Sequence, residues 1–220
     1  MHPVSTDVWL ATALDEAGVK VSTEDQAAWV GIAQAAGFPC PKTPKADLDD
    51  HQLSAWRHRA LDPDTHLAVY RALLESAGLP WLQAAAALHE LHMAAAGWEA
   101  YPDAAPVLTR LRDAGIACAV VSNIGWDIRI PLKSAGLLDL LQTVVCSCEE
   151  GVRKPDPRLF EIACERLGVK PGPDVIMVGD SPKSDRGGEA LGIRTLLVSP
   201  ARPQDRPNGL APVLAAAGLT

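Results

Sequence analysis

Hydrophobic and polar positions follow two rhythms along the chain, and the change falls near residue 100. From Val8 to Gly97 the apolar residues recur at helical spacing. Val8, Leu10, Ala11 and Leu14 form the first run, with Thr6 and Asp7 as candidate caps and Gly18 closing it. Ser22 opens a second helix with Asp25 in a box-like cap. Ala28, Trp29, Ile32 and Ala36 share its face, and Gly37 ends it. The stretch Gly37 to Asp47 is broken by prolines and reads as a loop. Asp47 is expected to cap a third helix carrying Leu48, Leu53 and Trp56. A fourth helix is predicted from about Thr65 to Ala77 and a fifth from about Pro80 to Ala96, with no strand before residue 97.

After Tyr101-Pro102-Asp103 the pattern becomes an alternation. A helix over Ala104 to Ala114 precedes an apolar run, Ile116 to Ser122. Further short apolar runs follow at Thr143 to Cys148, Val175 to Val178 and Ile193 to Val198. Helical stretches lie between them, and a short helix closes the chain. Alternating strands and helices require a parallel sheet covered on both faces. The expected fold is α/β, with an all-helical part over residues 1–99 and the α/β core over residues 100–220.

Composition narrows the function classes. A chain of 220 residues, 48% hydrophobic and 21% charged, holds one globular domain or a core with an appendage. Its net charge of −7 argues against a generic binder of nucleic acid or anionic membranes. No run is long enough to span a membrane, and MHPVSTDVWL lacks signal-peptide character. The five cysteines are odd in number and have no zinc-like spacing. Cys118 and Cys146 read as buried thiols, and a reduced, cytoplasmic protein is expected. His89-Glu90-Leu91-His92 is one residue short of the zinc-protease motif and reads as a partly exposed helix face. Of Trp9, Trp29, Trp56, Trp81 and Trp98, most read as packing residues, with the lining of a substrate pocket as the alternative for one or two. Arg57, His58 and Arg59 read as a solvated face, with anion recognition as the alternative.

Candidate chemistry gathers at the ends of the apolar runs. Ser122 and Asn123 end the first, Lys154 lies in a loop before a helix, and Asp180 and Asp185 follow the run at Val175. In an open parallel sheet these positions fall on the carboxyl edge, where ligands bind. A hydroxyl, an ammonium and two acids there can hold a phosphate and a hard cation such as Mg²⁺.

VVSN (120–123), GVRKPDPRLFE (151–161) and VGDSPKSDRGGEALG (178–192) resemble the second, third and fourth motifs of the haloacid dehalogenase-like hydrolases. The spacing fits as well, with Lys154 32 residues after Ser122 and Asp180 26 residues after Lys154. The resemblance covers roughly residues 101 to 200. It implies a Rossmann-like core with the helical part as a cap that closes over the site and selects substrate. It also implies that Ser122 and Asn123 bind the phosphoryl group, that Lys154 stabilises it, and that Asp180 holds Mg²⁺. Asp185 would either bind the ion or orient Lys154. The implied activity is an Mg²⁺-dependent phosphatase acting on a small phosphorylated metabolite. The alternatives are a 2-haloacid dehalogenase-like hydrolase and an inactive binding or regulatory relative. The form of the fourth motif, GDSxxxD, favours the phosphatase.

One departure stands out. The family's first motif is a strand ending in two spaced aspartates, the first of them the nucleophile. MHPVST carries neither an apolar run nor paired acids. In the family that strand lies mid-sheet, between those of the second and fourth motifs. Without it, those two strands either keep unpaired edges or close together. Two explanations stand side by side: a chain that begins downstream of its first motif, or a member that has lost the chemistry.

Overall fold

A computed structural model of the chain describes residues 1–39, 49–78 and 82–219. Cys40, Trp81 and the expected cap Asp47 lie outside them. Five helices lead: α1 (Thr6–Glu16), α2 (Thr23–Ala36), α3 (Asp50–His58), α4 (Pro63–Ser76) and α5 (Leu82–Met93). Their boundaries follow local chemistry. The Ser22 hydroxyl accepts from the Asp25 N–H, and Gly37 closes α2 at φ 90°, a conformation other residues rarely adopt. Asp49 and Gln52 form a reciprocal capping box on α3. Asp62 caps α4, with Pro63 in its first turn, two residues earlier than the spacing suggests. These helices share a core built on Trp9, Leu10, Leu74, Leu88 and Leu91, so Trp9 is a packing residue, as expected. A two-residue antiparallel pair, β1 (His2–Pro3) with β2 (Trp98–Glu99), joins the two ends of this segment.

The rest alternates as expected: α6 (Ala104–Asp113), β3 (Ala119–Ser122), α7 (Arg129–Ser134), β4 (Thr143–Cys146), α8 (Ser147–Glu150), α9 (Pro157–Leu167), β5 (Ile176–Gly179), α10 (Pro182–Asp185), β6 (Arg194–Leu197) and α11 (Ala211–Ala216). The strands are parallel, but they form two pairs: β3 with β4, and β5 with β6. The pairs do not close on each other. On one side, Leu159 and Ala163 of α9 pack against Val121 and Val145, while Phe160 and Cys164 of the same helix pack against Val175 and Met177. On the other side, Val107 and Leu111 of α6 and Val213 of α11 pack with Cys118, Val178 and Leu196. Helices anchored on both pairs hold them apart.

Between the pairs lies a cavity of about 720 Å³, walled by residues 117–121 on one side and 174–179 on the other. Its effect shows in the burial of the strands. Every residue of β3 and β5 is only half-buried, whereas three of the four in β4 are fully buried. Central strands of a parallel sheet are ordinarily buried on both faces. Of the two outcomes weighed for these strands, open edges are the one found. No helix among the described residues is long and apolar enough to cross a membrane.

Candidate active site

The site is built from the ends of β3 and β5 outward. Asn123 follows β3 directly. Its amide nitrogen donates to the Lys154 carbonyl at 2.8 Å, and its amide oxygen accepts from the Lys154 N–H at 2.7 Å. One side chain therefore fixes the peptide of Lys154 against the end of the strand. The Lys154 ammonium, thus positioned, donates to Asp185 Oδ1 at 2.7 Å. The other carboxylate oxygen, Oδ2, accepts from the Ser181 N–H at 2.8 Å, just past the end of β5. The ion pair is enclosed, with side-chain exposures of 11% for Lys154 and 3% for Asp185. This relay ties the ends of β3 and β5 together across the mouth of the cavity. It also shows that the two strand pairs run in the same direction.

Gly179 makes the relay sterically feasible, because a Cβ there would overlap the Asp185 carboxylate. Gly179→Ala is expected to displace Asp185 and to lower the unfolding temperature. The displaced contact is a charge-assisted hydrogen bond of about 1.5–3 kcal/mol, and a thermal melt of the variant beside the parent checks it.

Asp180 stands apart from the relay. It is exposed, and among the described residues neither its carboxylate nor the Ser122 hydroxyl makes a hydrogen bond. Met1 lines the same cavity, with Lys154, Asp180 and Asp185 at the mouth. Burial pushes the Met1 amine below its usual range; Arg206 pushes it further and Asp180 opposes both. The five residues singled out by sequence therefore meet at one edge, with distinct environments for the two acids. Both Asp185 oxygens are already engaged, one by the Lys154 ammonium and the other by the Ser181 N–H. Asp180 is the carboxylate left exposed. Among the described residues no group of three or more His, Cys, Asp or Glu could hold a metal ion.

The turn between α3 and α4 rests on the loops beside this edge. Ser147 Oγ donates to the Ala60 carbonyl and accepts from the Ile124 N–H at 2.9 Å. The Arg153 guanidinium donates to the Arg57 carbonyl at 2.6 Å. A Cβ at Gly125 would overlap the Arg59 carbonyl and crowd His66. The Arg59 guanidinium lies 3.6 Å over the Trp56 ring. Ser147 and Gly125 were not legible as docking residues, because their partners lie more than 50 residues away in sequence. His89 and His92 are not on an exposed face as expected. They are 2% and 4% exposed and cluster with His66 and Tyr70. The helix turns this edge inward because Leu88 and Leu91 beside it are core residues.

A family model for haloacid dehalogenase-like hydrolases matches residues 2–192. The chain belongs to the haloacid dehalogenase-like hydrolases. Among curated relatives of this hydrolase, the phosphoserine phosphatase of Thermus thermophilus is 36% identical over 140 residues, covering 62% of this chain and 56% of that protein. The (S)-2-haloacid dehalogenase 4A of Burkholderia cepacia is 35% identical over 102 residues, covering 46% and 43%. The chain thus spans about half the length of these relatives. A dehalogenase crystal structure superposes with a TM-score of 0.64 at 21% identity, over 97% of this chain and 92% of that one. That likeness establishes the haloacid dehalogenase-like fold.

Proposed function

We propose that this hydrolase works as an Mg²⁺-dependent phosphatase on a small phosphomonoester. The observation that carries the reading is the split between the two acids: Asp185 is occupied by Lys154 and Ser181, while Asp180 faces solvent at the carboxyl end of β5. Mg²⁺ binds through one or two carboxylates plus substrate phosphate. Asp180 fits that donor set, and Asp185 does not while its oxygens are engaged. When bound, the ion would offset the charge of the phosphoryl oxygens.

The residues of the chain have separate roles in this reading. The Ser122 hydroxyl binds a phosphoryl oxygen at the end of β3. Lys154 brings a fixed positive charge to the developing negative charge, and Asp185 and Asn123 hold it in place so that little reorganisation is needed. The α3–α4 turn covers the approach from the helical side, which we assign to a cap over residues 1–99. The nucleophilic carboxylate and a second ligand for the ion are expected from a strand seated between β3 and β5. Without one, the 220-residue chain is expected to bind phosphate and Mg²⁺ but not to turn over. The dehalogenase alternative needs no cation and gives the exposed Asp180 no role.

Titration with Mg²⁺ and inorganic phosphate, followed by thermal unfolding, tests the cradle. Saturation at 100 times Kd stabilises a protein by about 2.7 kcal/mol. The expected result is a raised Tm that is lost in Asp180→Asn and reduced in Ser122→Ala. An unchanged Tm in the parent, or an equal rise in Asp180→Asn, contradicts the reading.

A further inference from the structure

Three buried imidazoles sit where the helical part meets the core. His66 lies in the first turn of α4, and His89 and His92 are three residues apart on α5. His66 and His92 stack with 5.6 Å between ring centroids, and His66 Nδ1 is 3.2 Å from His89 Nε2. Behind the rings is the apolar core of the helical part, where Leu73, Leu74, Leu88 and Leu91 are all buried. In front of them is the loop after β3. Gly125 packs against the His66 side chain, and the Trp126 and Trp98 rings lie 5.8 Å and 5.6 Å from the His92 ring.

The surroundings favour neutral rings. Arg59 of the α3–α4 turn acts on His66, and Arg71 of α4 acts on His89; both are cations. The acids of the same helices, Asp62, Asp64 and Glu90, are exposed. On the core side, Asp127 beside Trp126 is paired with Arg129, and Glu99 beside Trp98 acts on Tyr101. Tyr70, stacked on His66 and His92, is a neutral phenol in acid. A proton taken up by one ring therefore meets further imidazoles and guanidinium groups in a site closed to water.

The two sides of the cluster resist that proton unequally. Displacing the rings toward the helical part opens its leucine core. Toward the core, the α3–α4 turn is held by hydrogen bonds from Ser147 Oγ to the Ala60 carbonyl and from Arg153 to the Arg57 carbonyl, and by the close approach of Gly125 to the Arg59 carbonyl. Such hydrogen bonds give small net gains, because water replaces the partner when they open. The boundary therefore yields before either core does. It also borders the candidate site, because Ile124 and Arg153 are the chain neighbours of Asn123 and Lys154.

We propose that the three histidines form an acid-operated latch: protonation of His66 and His92 releases the α3–α4 turn from the loop at residues 124–126 while both parts of the chain stay folded. Release bares these two rings to water, because Gly125 and Trp126 cover them on that side. A covered ring stays neutral, and a bared ring returns to its ordinary value of about 6.5. Between pH 7 and pH 5, each bared ring then favours the released form about 25-fold, and the two together about 600-fold. Docking is complete above about pH 6.5 and is lost as the pH falls.

Fluorine NMR of the intact chain labelled with 5-fluorotryptophan tests this. Trp126 reports on the boundary, and Trp9, fully buried in the helical core, reports on global unfolding. The two resonances are assigned from Trp126→Phe and Trp9→Phe. The readout is the solvent isotope shift of each between pH 7 and pH 4, with amide exchange of α1 and β4 followed in parallel. The comparison proteins are His66→Phe, His66→Phe combined with His92→Phe, and Gly125→Ala.

The expected result is that Trp126 becomes solvent-exposed as the pH falls from about 5.5 to about 4.5, with the steepness of about two protons, while Trp9 and the protected amides of α1 and β4 do not change. His66→Phe should reduce the steepness to about one proton, and the double variant should abolish the transition. Gly125→Ala, whose Cβ overlaps the Arg59 carbonyl, should show the released signal already at pH 7. A Trp126 signal that does not move, that moves only together with Trp9 or with loss of amide protection, or that titrates unchanged in the double variant overturns the proposal.

Discussion

Lys154→Met should cost the folded protein about 3–5 kcal/mol, because it removes one partner of an enclosed ion pair and strands the other. Asp185 is 3% exposed, and Lys154 is the cation on its Oδ1. Without the ammonium, the carboxylate keeps only the Ser181 N–H. A desolvated carboxylate without its cation is costly against a total stability of about 5–15 kcal/mol. Two further comparisons separate this cause from simple loss of packing. Asp185→Asn in the Lys154→Met background removes the stranded charge while its amide oxygen can still accept from Ser181. It should therefore restore a large part of the loss. Lys154→Arg keeps the charge but brings a larger, planar head into a site fitted to an ammonium, and it should fall between parent and Lys154→Met. Urea unfolding of the four proteins separates these outcomes directly. A loss below about 1 kcal/mol for Lys154→Met would place the pair among solvent-screened surface bridges, against its burial.

The second large effect is on acid stability. His66, His89 and His92 are 5%, 2% and 4% exposed and cluster around Tyr70 between α4 and α5, with His66 and His92 stacked on its ring and His89 edge-on to it. Burial pushes His66 down to about 3, with His89 and Arg59 adding to the effect. Burial, with Arg71 nearby, pushes His89 down to about 4. Burial and the two neighbouring imidazoles push His92 down to about 3. His66 Nδ1 lies 3.2 Å from His89 Nε2, so one neutral ring donates to the other. The sign follows from which state binds more protons. Below pH 6.5 the unfolded imidazoles protonate and the folded ones do not. Stability is therefore complete above about pH 6.5 and falls as the pH drops toward the folded values. Between pH 7 and pH 5 each ring accounts for about 2 kcal/mol, and the three together for about 4–6 kcal/mol. The urea midpoint should fall steeply across that interval. His92→Phe, which keeps the stacking on Tyr70 and an aromatic contact with Trp98, should flatten the slope by about a third. A midpoint constant from pH 7 to pH 5 would mean that the rings are hydrated in the folded state.

The contrast between these two sites shows what the amino-acid pattern carries. Ser122, Asn123, Lys154, Asp180 and Asp185 were legible because each follows an apolar run at a spacing that parallel topology converts into one edge. The histidine cluster was not legible, because His66 and His89 meet only through the crossing of two helices and imidazole has no strong burial preference. The β1–β2 pair is two residues long, too short for alternation to register. That MHPVST carries no apolar run and no paired acids could be seen in the sequence, but the separation of β3 from β5 could not. Whether β3 and β5 collapse together or stay apart depends on α9, α6 and α11 gripping both strand pairs, a nonlocal property of three helices. The separate environments of the two acids depend on Gly179, whose hydrogen leaves room for the Asp185 carboxylate.

The central claim is that this edge serves phosphoryl transfer and not carbon–halogen cleavage. The direct measurement supplies the chain with a strand ending in two spaced aspartates, fused ahead of Met1. Inorganic phosphate released from small phosphomonoesters is then compared with chloride released from 2-chloropropionate, with Mg²⁺ and with EDTA. The predicted result is phosphate release that requires Mg²⁺ and is lost in Asp180→Asn and Lys154→Met, with no chloride. Chloride release indifferent to EDTA, or neither product from a fusion whose sheet has closed, would contradict it.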